Sequence, residues 1–384
     1  MKILHISKFY PPEPGGIENF VHDLAAMQVK QGHEVFVIAH QAGFGRKTQW
    51  QSLDGVKVCR IRTFGKLSYA PLAPELPIHA LVLLLRHKPD VIHGHLPNTS
   101  AFWLLLLKKT APLVLHWHSD VIASSVDRKL ALLYRFYRPC EVWLLNKADC
   151  LISTSKSYLS SSKVLGRYRN KGVVIPLGVN PNRLLYDNNI SVSENKSAFF
   201  TVLSVGRFSY YKGFEYLIQA AEKLPAVHFK IVGDGPYFSV IENLVKKKNL
   251  EKRVELLGRV EEDRLRTLFA ACDVFCLPSI ERTEAFGLVL LEAMSFSKPL
   301  ITTDIEGSGM SEVNLNGVTG LQVPPADASE LADAIHRLYA NPEIRKEMGA
   351  RSRIRFDQNF HIQAIAGQVE QAYKNVKKLD AQSG

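Results

Sequence analysis

Short apolar runs closed by glycine or a polar cluster, most of them followed by residues at helical spacing, recur along nearly the whole chain. This alternation constrains the fold most, because runs of this length read as strands buried on both faces of a parallel sheet. Lys2-Ile-Leu-His-Ile-Ser7 is the first strand, and the loop Pro11-Pro-Glu-Pro-Gly-Gly16 follows. Ile17 to Gln31 carries Phe20, Val21, Leu24 and Met27 at helical spacing, Gly32 ends that helix, and Glu34 to Ala39 is the next strand. The chain thus opens with a βαβ unit. Strand-like Val56 to Ile61 comes next, then a proline-broken connector and a helix from Ile78. Strands within Pro89–His95 and Pro112–Asp120 end in clusters that hold His93, His95, His116 and His118, and Asp149–Ser155 and Gly172–Gly178 add two more. A second alternation runs through Phe199–Val205, His228–Val232, Val254–Leu257, Asp273–Leu277, Pro299–Thr303 and Leu321–Val323.

This layout is α/β: two doubly wound parallel-sheet domains with a cleft between them. Residues 1–180 form the first domain and 198–360 the second. The polar, Asn- and Ser-rich stretch at 181–197 is the linker. By pattern the final helix, around Ile362 to Leu379, fits either domain; segment 361–384 is assigned to pack back on the first.

Composition narrows the function classes. The longest apolar runs, such as Phe102 to Leu107, fall far short of the ~18 residues that span a bilayer. Met1 to Ser7 is too short and strand-like for a signal peptide. Cys59, Cys140, Cys150, Cys272 and Cys276 are scattered, which predicts unpaired thiols in a reduced, cytoplasmic setting. The net charge of +11 is uneven: residues 1–180 hold 23 Lys and Arg against 11 Asp and Glu, residues 181–384 hold 25 against 26. The first half therefore faces an anionic partner. Asp127 to Arg138 alternates basic and aromatic residues, with Lys108-Lys109 and Arg167-Tyr-Arg169 as further basic sites. Two readings fit: an amphipathic basic face lying on anionic lipid, or an internal helix with a solvated basic edge. No nucleic-acid-binding module is recognisable, and none is expected as a partner.

The chemistry gathers at Glu281-Arg-Thr-Glu-Ala-Phe-Gly-Leu-Val-Leu-Leu-Glu-Ala-Met294. Glu284 lies just before a helix and Glu292 about two turns in, a span on the order of 12 Å. A retaining glycosidase needs its carboxyl groups about 5 Å apart and an inverting one about 6.5–9.5 Å, so this pair does not straddle one bond. The spacing suits the two ends of a long polar ligand, with the Phe286, Gly287 and Leu288 amides offering helix-start donors to phosphate. Two unrelated surface glutamates are the alternative. Arg207 and Lys212, in the loop after the first strand of the second domain, read either as a diphosphate clamp or as surface cations. Gly15-Gly16 either admits a phosphate or makes a turn. Neither G-x-G-x-x-G nor a Walker motif is present, which weakens dehydrogenase and NTPase readings. The histidine pairs lack a third ligand at typical spacing and no Asp-x-Asp occurs, so no metal is expected.

Taken together, Gly15-Gly-Ile-Glu18, His116-Trp-His118, Ile175-Pro-Leu-Gly-Val179, Gly206-Arg207 with Lys212-Gly213, Val232-Gly-Asp-Gly235 and Glu284 through Glu292 resemble the retaining glycosyltransferases of family 4. The resemblance covers nearly the whole chain and implies the GT-B fold of two Rossmann-like domains, an acceptor-binding one followed by a nucleotide-sugar-binding one. It implies that Arg207 and Lys212 hold the donor diphosphate and Glu292 the donor ribose. It implies further that Glu284 binds the transferred sugar, with Phe286, Gly287 and Leu288 supplying backbone donors. His118 matches a histidine that touches the donor sugar near its anomeric carbon, Gly16 a loop over the leaving phosphate, and the segment before Arg259-Val260 helps to seat the base.

The subfamily flavour, in His118-Ser-Asp120, Tyr134 to Pro139 and Tyr210 to Phe214, resembles bacterial enzymes of O-antigen, lipopolysaccharide or other surface-glycan synthesis. The resemblance thus implies a nucleotide-sugar donor, GDP-mannose or a related hexose nucleotide, and a lipid-linked or saccharide acceptor. It also implies a peripheral position on the inner face of the cytoplasmic membrane, reached through the basic first domain. No cofactor is expected besides the donor itself. Two competitors stand beside this reading: a nucleotide-sugar epimerase or hydrolase of the same fold, and a non-catalytic nucleotide-sugar-binding module.

Overall fold

The computed structural model describes residues 1–41, 43–67, 70–106, 110–121, 128–185 and 199–383. They form two compact units, Met1–Gly178 with Ile362–Gly384, and Val179–His361. The first unit contains β1 (Lys2–Ile6), β2 (Glu34–His40), β3 (Gln49–Leu53), β4 (Val56–Ile61), the hairpin strands β5 (Gly65–Leu67) and β6 (Ala70–Leu72), β7 (Val91–Leu96), β8 (Leu113–Trp117), β9 (Cys150–Ser153) and β10 (Gly172–Val174). The second holds β11 (Phe200–Val205), β12 (Val227–Val232), β13 (Val254–Gly258), β14 (Val274–Leu277), β15 (Leu300–Thr303) and β16 (Gly320–Val323).

The first sheet runs β10-β9-β8-β7-β1-β2-β4-β3, and only its edge strand β3 is antiparallel. The second sheet runs β13-β12-β11-β14-β15-β16 and is parallel throughout. Each order reverses beside the unit's first strand, at β1 between β7 and β2 and at β11 between β12 and β14. Connections leave such a point toward opposite edges, which opens a crevice above the strand carboxyl ends. The central strands β1, β2, β7, β8, β14 and β15 are buried almost throughout, as their continuous apolar runs require. Phe208, Phe214, Phe229, Ile218 and Ile335 centre the second core.

The helix Ile362–Ser383 belongs to the first unit. It buries Ile362, Ile365, Ala366, Val369 and Tyr373 and packs on the helix Gly16–Lys30. Gln28 Nε2 donates to the Tyr373 hydroxyl at 3.3 Å, and Lys377 Nζ meets Asp90 Oδ1 at 2.6 Å. The second unit closes on itself where the Val179 amide donates to the Phe360 carbonyl at 3.0 Å.

Beyond the strands β3, β5 and β6, which the sequence reading did not assign, three features differ from it. Pro139 does not interrupt its helix: Arg128–Lys147 runs through it, because Leu144 and Leu145 anchor the second half in the core and outweigh one missing hydrogen bond. Asp127, Lys108 and Lys109 lie outside the described residues. Of the linker at 181–197, Pro181–Leu185 is a helix packed on the helices Glu262–Ala271 and Leu288–Ser295, and the rest lies outside the described residues. Pro342–Asn359 is an unforeseen helix whose buried face is small, made of Met348, Gly349, Ser352 and Phe356. A Cβ on Gly349 would stand 2.3 Å from the Ser297 carbonyl oxygen, so this helix is held by close approach rather than by an apolar stripe.

Val369→Asp would bury an unpaired carboxylate in the first unit and should remove about 3–5 kcal/mol from its stability. Tryptophan emission during urea unfolding is the measurement, since Trp50, Trp103, Trp117 and Trp143 all lie in the first unit.

Candidate active site

In the second unit the site is built on the loops that leave β11 and β14. After β11 the chain makes a short 3₁₀ turn, Tyr210–Lys212, and Gly213 then takes the left-handed conformation with φ of 64°. A Cβ there would lie 2.2 Å from the Pro278 carbonyl oxygen, so only glycine lets this turn close on the end of β14. The Ile280 amide donates to the Tyr211 carbonyl at 2.8 Å and the Tyr210 hydroxyl to Glu281 Oε2 at 2.7 Å, which locks the two loops together.

The lock places Lys212 against Glu284. Lys212 is only 8 % exposed; its side chain lies across Gly206, and its ammonium donates to Glu284 Oε2. Ser279 Oγ donates to the same oxygen at 3.0 Å, and Ser308 Oγ to the Glu284 carbonyl at 2.5 Å. Burial alone would lower the Lys212 ammonium; the Glu284 carboxylate and Tyr211 outweigh it and hold the group above its ordinary value. Lys212 is therefore a fixed positive charge at neutral pH.

Past Glu284 the chain enters the helix Leu288–Ser295 through Gly287, whose φ is 77°. Among the described residues no hydrogen bond engages the amides of Phe286, Gly287 and Leu288. Glu292, 7 % exposed, meets Arg183 Nη2 at 3.1 Å, while Arg183 Nη1 reaches Glu262 at 2.9 Å. Sequence reasoning missed Arg183 by placing it in the linker; the Asn180-Pro181 pair, a turn followed by a helix-starting proline, was the available signal. Arg207 is exposed where β11 ends and makes no ion pair with any described residue. Exposed Arg259 and half-buried Val260 follow β13 at the same edge of the sheet. Gly233 and Gly235 let the neighbouring loop close in, since Cβ atoms there would fall 1.9 Å from the Gly206 oxygen and 2.4 Å from the Phe208 oxygen.

In the first unit Gly16 opens the helix after β1, and five histidines line the carboxyl ends of β1, β7 and β8. Strand register makes His5 the partner of His93, and His95 the partner of His116. His118 follows one residue beyond β8 and is 4 % exposed. His5 Nδ1 lies 3.0 Å from His95 Nε2, and His95 Nδ1 lies 3.1 Å from His118 Nε2. Two triads, His5–His93–His95 and His95–His116–His118, bring ring nitrogens within 4.8 Å of one another. In the second triad the rings stack within 7–23° of parallel, so their lone pairs lie in separate, nearly parallel planes rather than converging as a tetrahedral set does. Burial lowers His5 to about 4 and His118 to about 3, and pushes His93, His95 and His116 well below the ordinary histidine value. The stack is neutral at physiological pH.

Lys212 and Glu284 are thus in contact, Glu292 lies on the helix that Glu284 precedes, and Arg207, Arg259 and Val260 share a sheet edge with them. Gly16 and His118 belong to the corresponding edge of the first unit.

Known proteins share both halves of this layout. Residues 14–183 match the family described as Glycosyltransferase Family 4, and residues 187–355 match Glycosyl transferases group 1. The O-antigen chain mannosyltransferase C of Escherichia coli is 31% identical over 372 residues, which cover 94% of this chain and 94% of that protein. The D-rhamnosyltransferase WbpZ of Pseudomonas aeruginosa is 30% identical over 368 residues, covering 94% and 92%. The structure of sucrose-phosphate synthase from Thermosynechococcus elongatus superposes with a TM-score of 0.77 at 25% identity, covering 98% of each chain. The two parallel-sheet units are those of the GT-B fold.

The first unit should lose stability steeply as pH falls. His5, His40, His93, His95, His116 and His118 all take up protons more readily unfolded than folded, so the stability they contribute is complete above about 6.5 and lost toward 4. Glu18, His22 and Glu141, whose folded values are raised, act the other way but are fewer. The tryptophan-reported Tm should therefore drop between pH 6.5 and 4.5; a flat profile would contradict a neutral, buried stack.

Proposed function

Because the chain belongs to glycosyltransferase family 4, we propose that it moves a hexose, mannose-like in preference, from a nucleoside-diphosphate sugar to a lipid-linked or saccharide acceptor with retention of configuration. The O-antigen and rhamnosyl names of its relatives support a role in bacterial surface-glycan synthesis, with GDP-mannose as the donor to try first. The single observation that carries the reading is the edge at β11 and β14. There a fixed ammonium, a carboxylate and three unpaired helix-start amides meet.

In this reading Arg207, Lys212 and the amides of Phe286, Gly287 and Leu288 take the diphosphate, and Gly16 approaches the leaving phosphate. Glu292, oriented by Arg183, takes the ribose hydroxyls; the segment up to Arg259 and Val260 seats the base. Glu284 accepts from hydroxyls of the transferred sugar, and His118 contacts the sugar near its anomeric carbon. Breaking the sugar–phosphate bond adds negative charge to the diphosphate and leaves an oxocarbenium-like sugar. The cations and amides stand ready for the first charge without reorganising. The leaving phosphate oxygen accepts the acceptor's proton on the same face, which retains the configuration. A trapped glycosyl-enzyme adduct would overturn this front-face route. Since two side-chain cations neutralise the diphosphate, no divalent ion is required.

No helix among the described residues is long and apolar enough to cross a membrane. The helix Arg128–Lys147 instead exposes Leu132, Phe136 and Trp143 along one side, beside exposed Arg135 and Arg138. That pairing supports docking on the anionic inner face of the cytoplasmic membrane.

Three outcomes follow. Arg207→Ala, an exposed change, should lower turnover by about 100-fold while leaving Tm in place, as read by transfer of labelled mannose from GDP-mannose to a membrane-derived acceptor. Transfer should persist in chelator. Donor consumed without acceptor would favour an epimerase or hydrolase, and binding without turnover a binding module. The double substitution Phe136→Ser with Trp143→Ser should weaken sedimentation with anionic vesicles by roughly tenfold.

A further inference from the structure

The histidine stack is wired in one direction. Gln28 Nε2 donates to the Tyr373 hydroxyl at 3.3 Å, which turns the Gln28 carbonyl oxygen toward His5 Nε2 at 2.8 Å. A carbonyl oxygen only accepts, so His5 carries its proton on Nε2 and leaves Nδ1 bare. That bare nitrogen, 3.0 Å from His95 Nε2, requires the proton of His95 to sit there. His95 Nδ1 is then bare, and at 3.1 Å it takes the proton of His118 Nε2. A neutral imidazole has one N–H, so His118 Nδ1 is a lone pair, and it has no partner among the described residues. The branch agrees: the Tyr373 hydroxyl, having accepted from Gln28, spends its one proton on His93 Nδ1 at 2.6 Å.

We propose that Gln28, His5 and His95 are positioning residues that fix the tautomer of His118, so that His118 offers a lone pair rather than a proton to a hydroxyl of the transferred sugar. This deepens the transferase reading and rests on it for the identity of the ligand. A buried acceptor left without a partner is unfavourable, and a sugar hydroxyl is the group that would satisfy it. The direction also matters chemically. Accepting a hydrogen bond raises electron density on the sugar oxygen and favours a sugar that is becoming positive. An N–H in the same place would withdraw density and oppose it. Burial keeps the whole chain of rings neutral, so the direction is not erased by protonation.

Long-range proton–nitrogen correlation spectra of protein labelled with ¹⁵N-histidine report which ring nitrogen carries the proton, without any donor present. The wild-type chain should show His118 protonated on Nε2 and bare on Nδ1. Gln28→Met, which removes the accepting oxygen, should mix the His118 tautomers and lower kcat with GDP-mannose roughly tenfold at little change in KM. His95→Gln should keep the direction, because its amide offers N–H to His5 and C=O to His118, and should stay close to wild type in both readouts. A wild-type spectrum with the proton on His118 Nδ1, or a Gln28→Met protein with unchanged tautomer and kcat, would overturn the proposal. Failure of the wild-type protein to transfer from any nucleotide sugar would instead sink the transferase reading, while the spectrum still decides the tautomer.

Discussion

Both units obey one constraint: a parallel sheet whose strand order reverses beside its first strand must part its connections above the strand carboxyl ends. Most residues with a proposed role lie at or just beyond a strand carboxyl end. Lys212 follows β11, Glu284 follows β14, Arg259 follows β13, Gly16 follows β1 and His118 follows β8. The helices and cores serve mainly to hold that geometry. The glycines at 213, 233, 235 and 287 mark where backbone must pass closer to backbone or side chain than a Cβ permits.

The two edges solve opposite electrostatic problems. In the second unit, charge is kept: Glu284 retains the proton on Lys212 against burial, and Arg183 occupies Glu292. In the first, charge is excluded: burial keeps all five rings neutral, and for His93, His95 and His116 the neighbouring rings add to it. In the proposed transfer, a diphosphate that gains charge as its bond breaks would meet the former, and the transferred sugar would meet rings that offer lone pairs rather than positive charge.

Much of this was legible in the chain itself. The apolar runs gave nearly every strand, because a strand buried on both faces leaves no polar position to confuse the pattern. Glu284 and Glu292 stood out because they bracket a helix start, and Arg207 and Lys212 because both lie in the loop after the first strand of the second unit. Three things stayed hidden for physical reasons. The edge strand β3 is half solvated and reads as polar loop. The helix Pro342–Asn359 packs through Gly349 and Ser352, which carry no hydrophobic signal. The contacts of Lys212 with Glu284 and of Arg183 with Glu292 span 72 and 109 residues, and no local spacing encodes them.

The helix Ile362–Ser383 completes a core begun some hundreds of residues earlier in the chain. During synthesis at about 5–20 residues per second, the nascent first unit waits roughly ten seconds or more while the second is made. Until Tyr373 emerges, Gln28 and His93 lack the phenol that links them. The ribosome therefore delivers the histidine array unfinished, and its polarity is set only when the last helix docks.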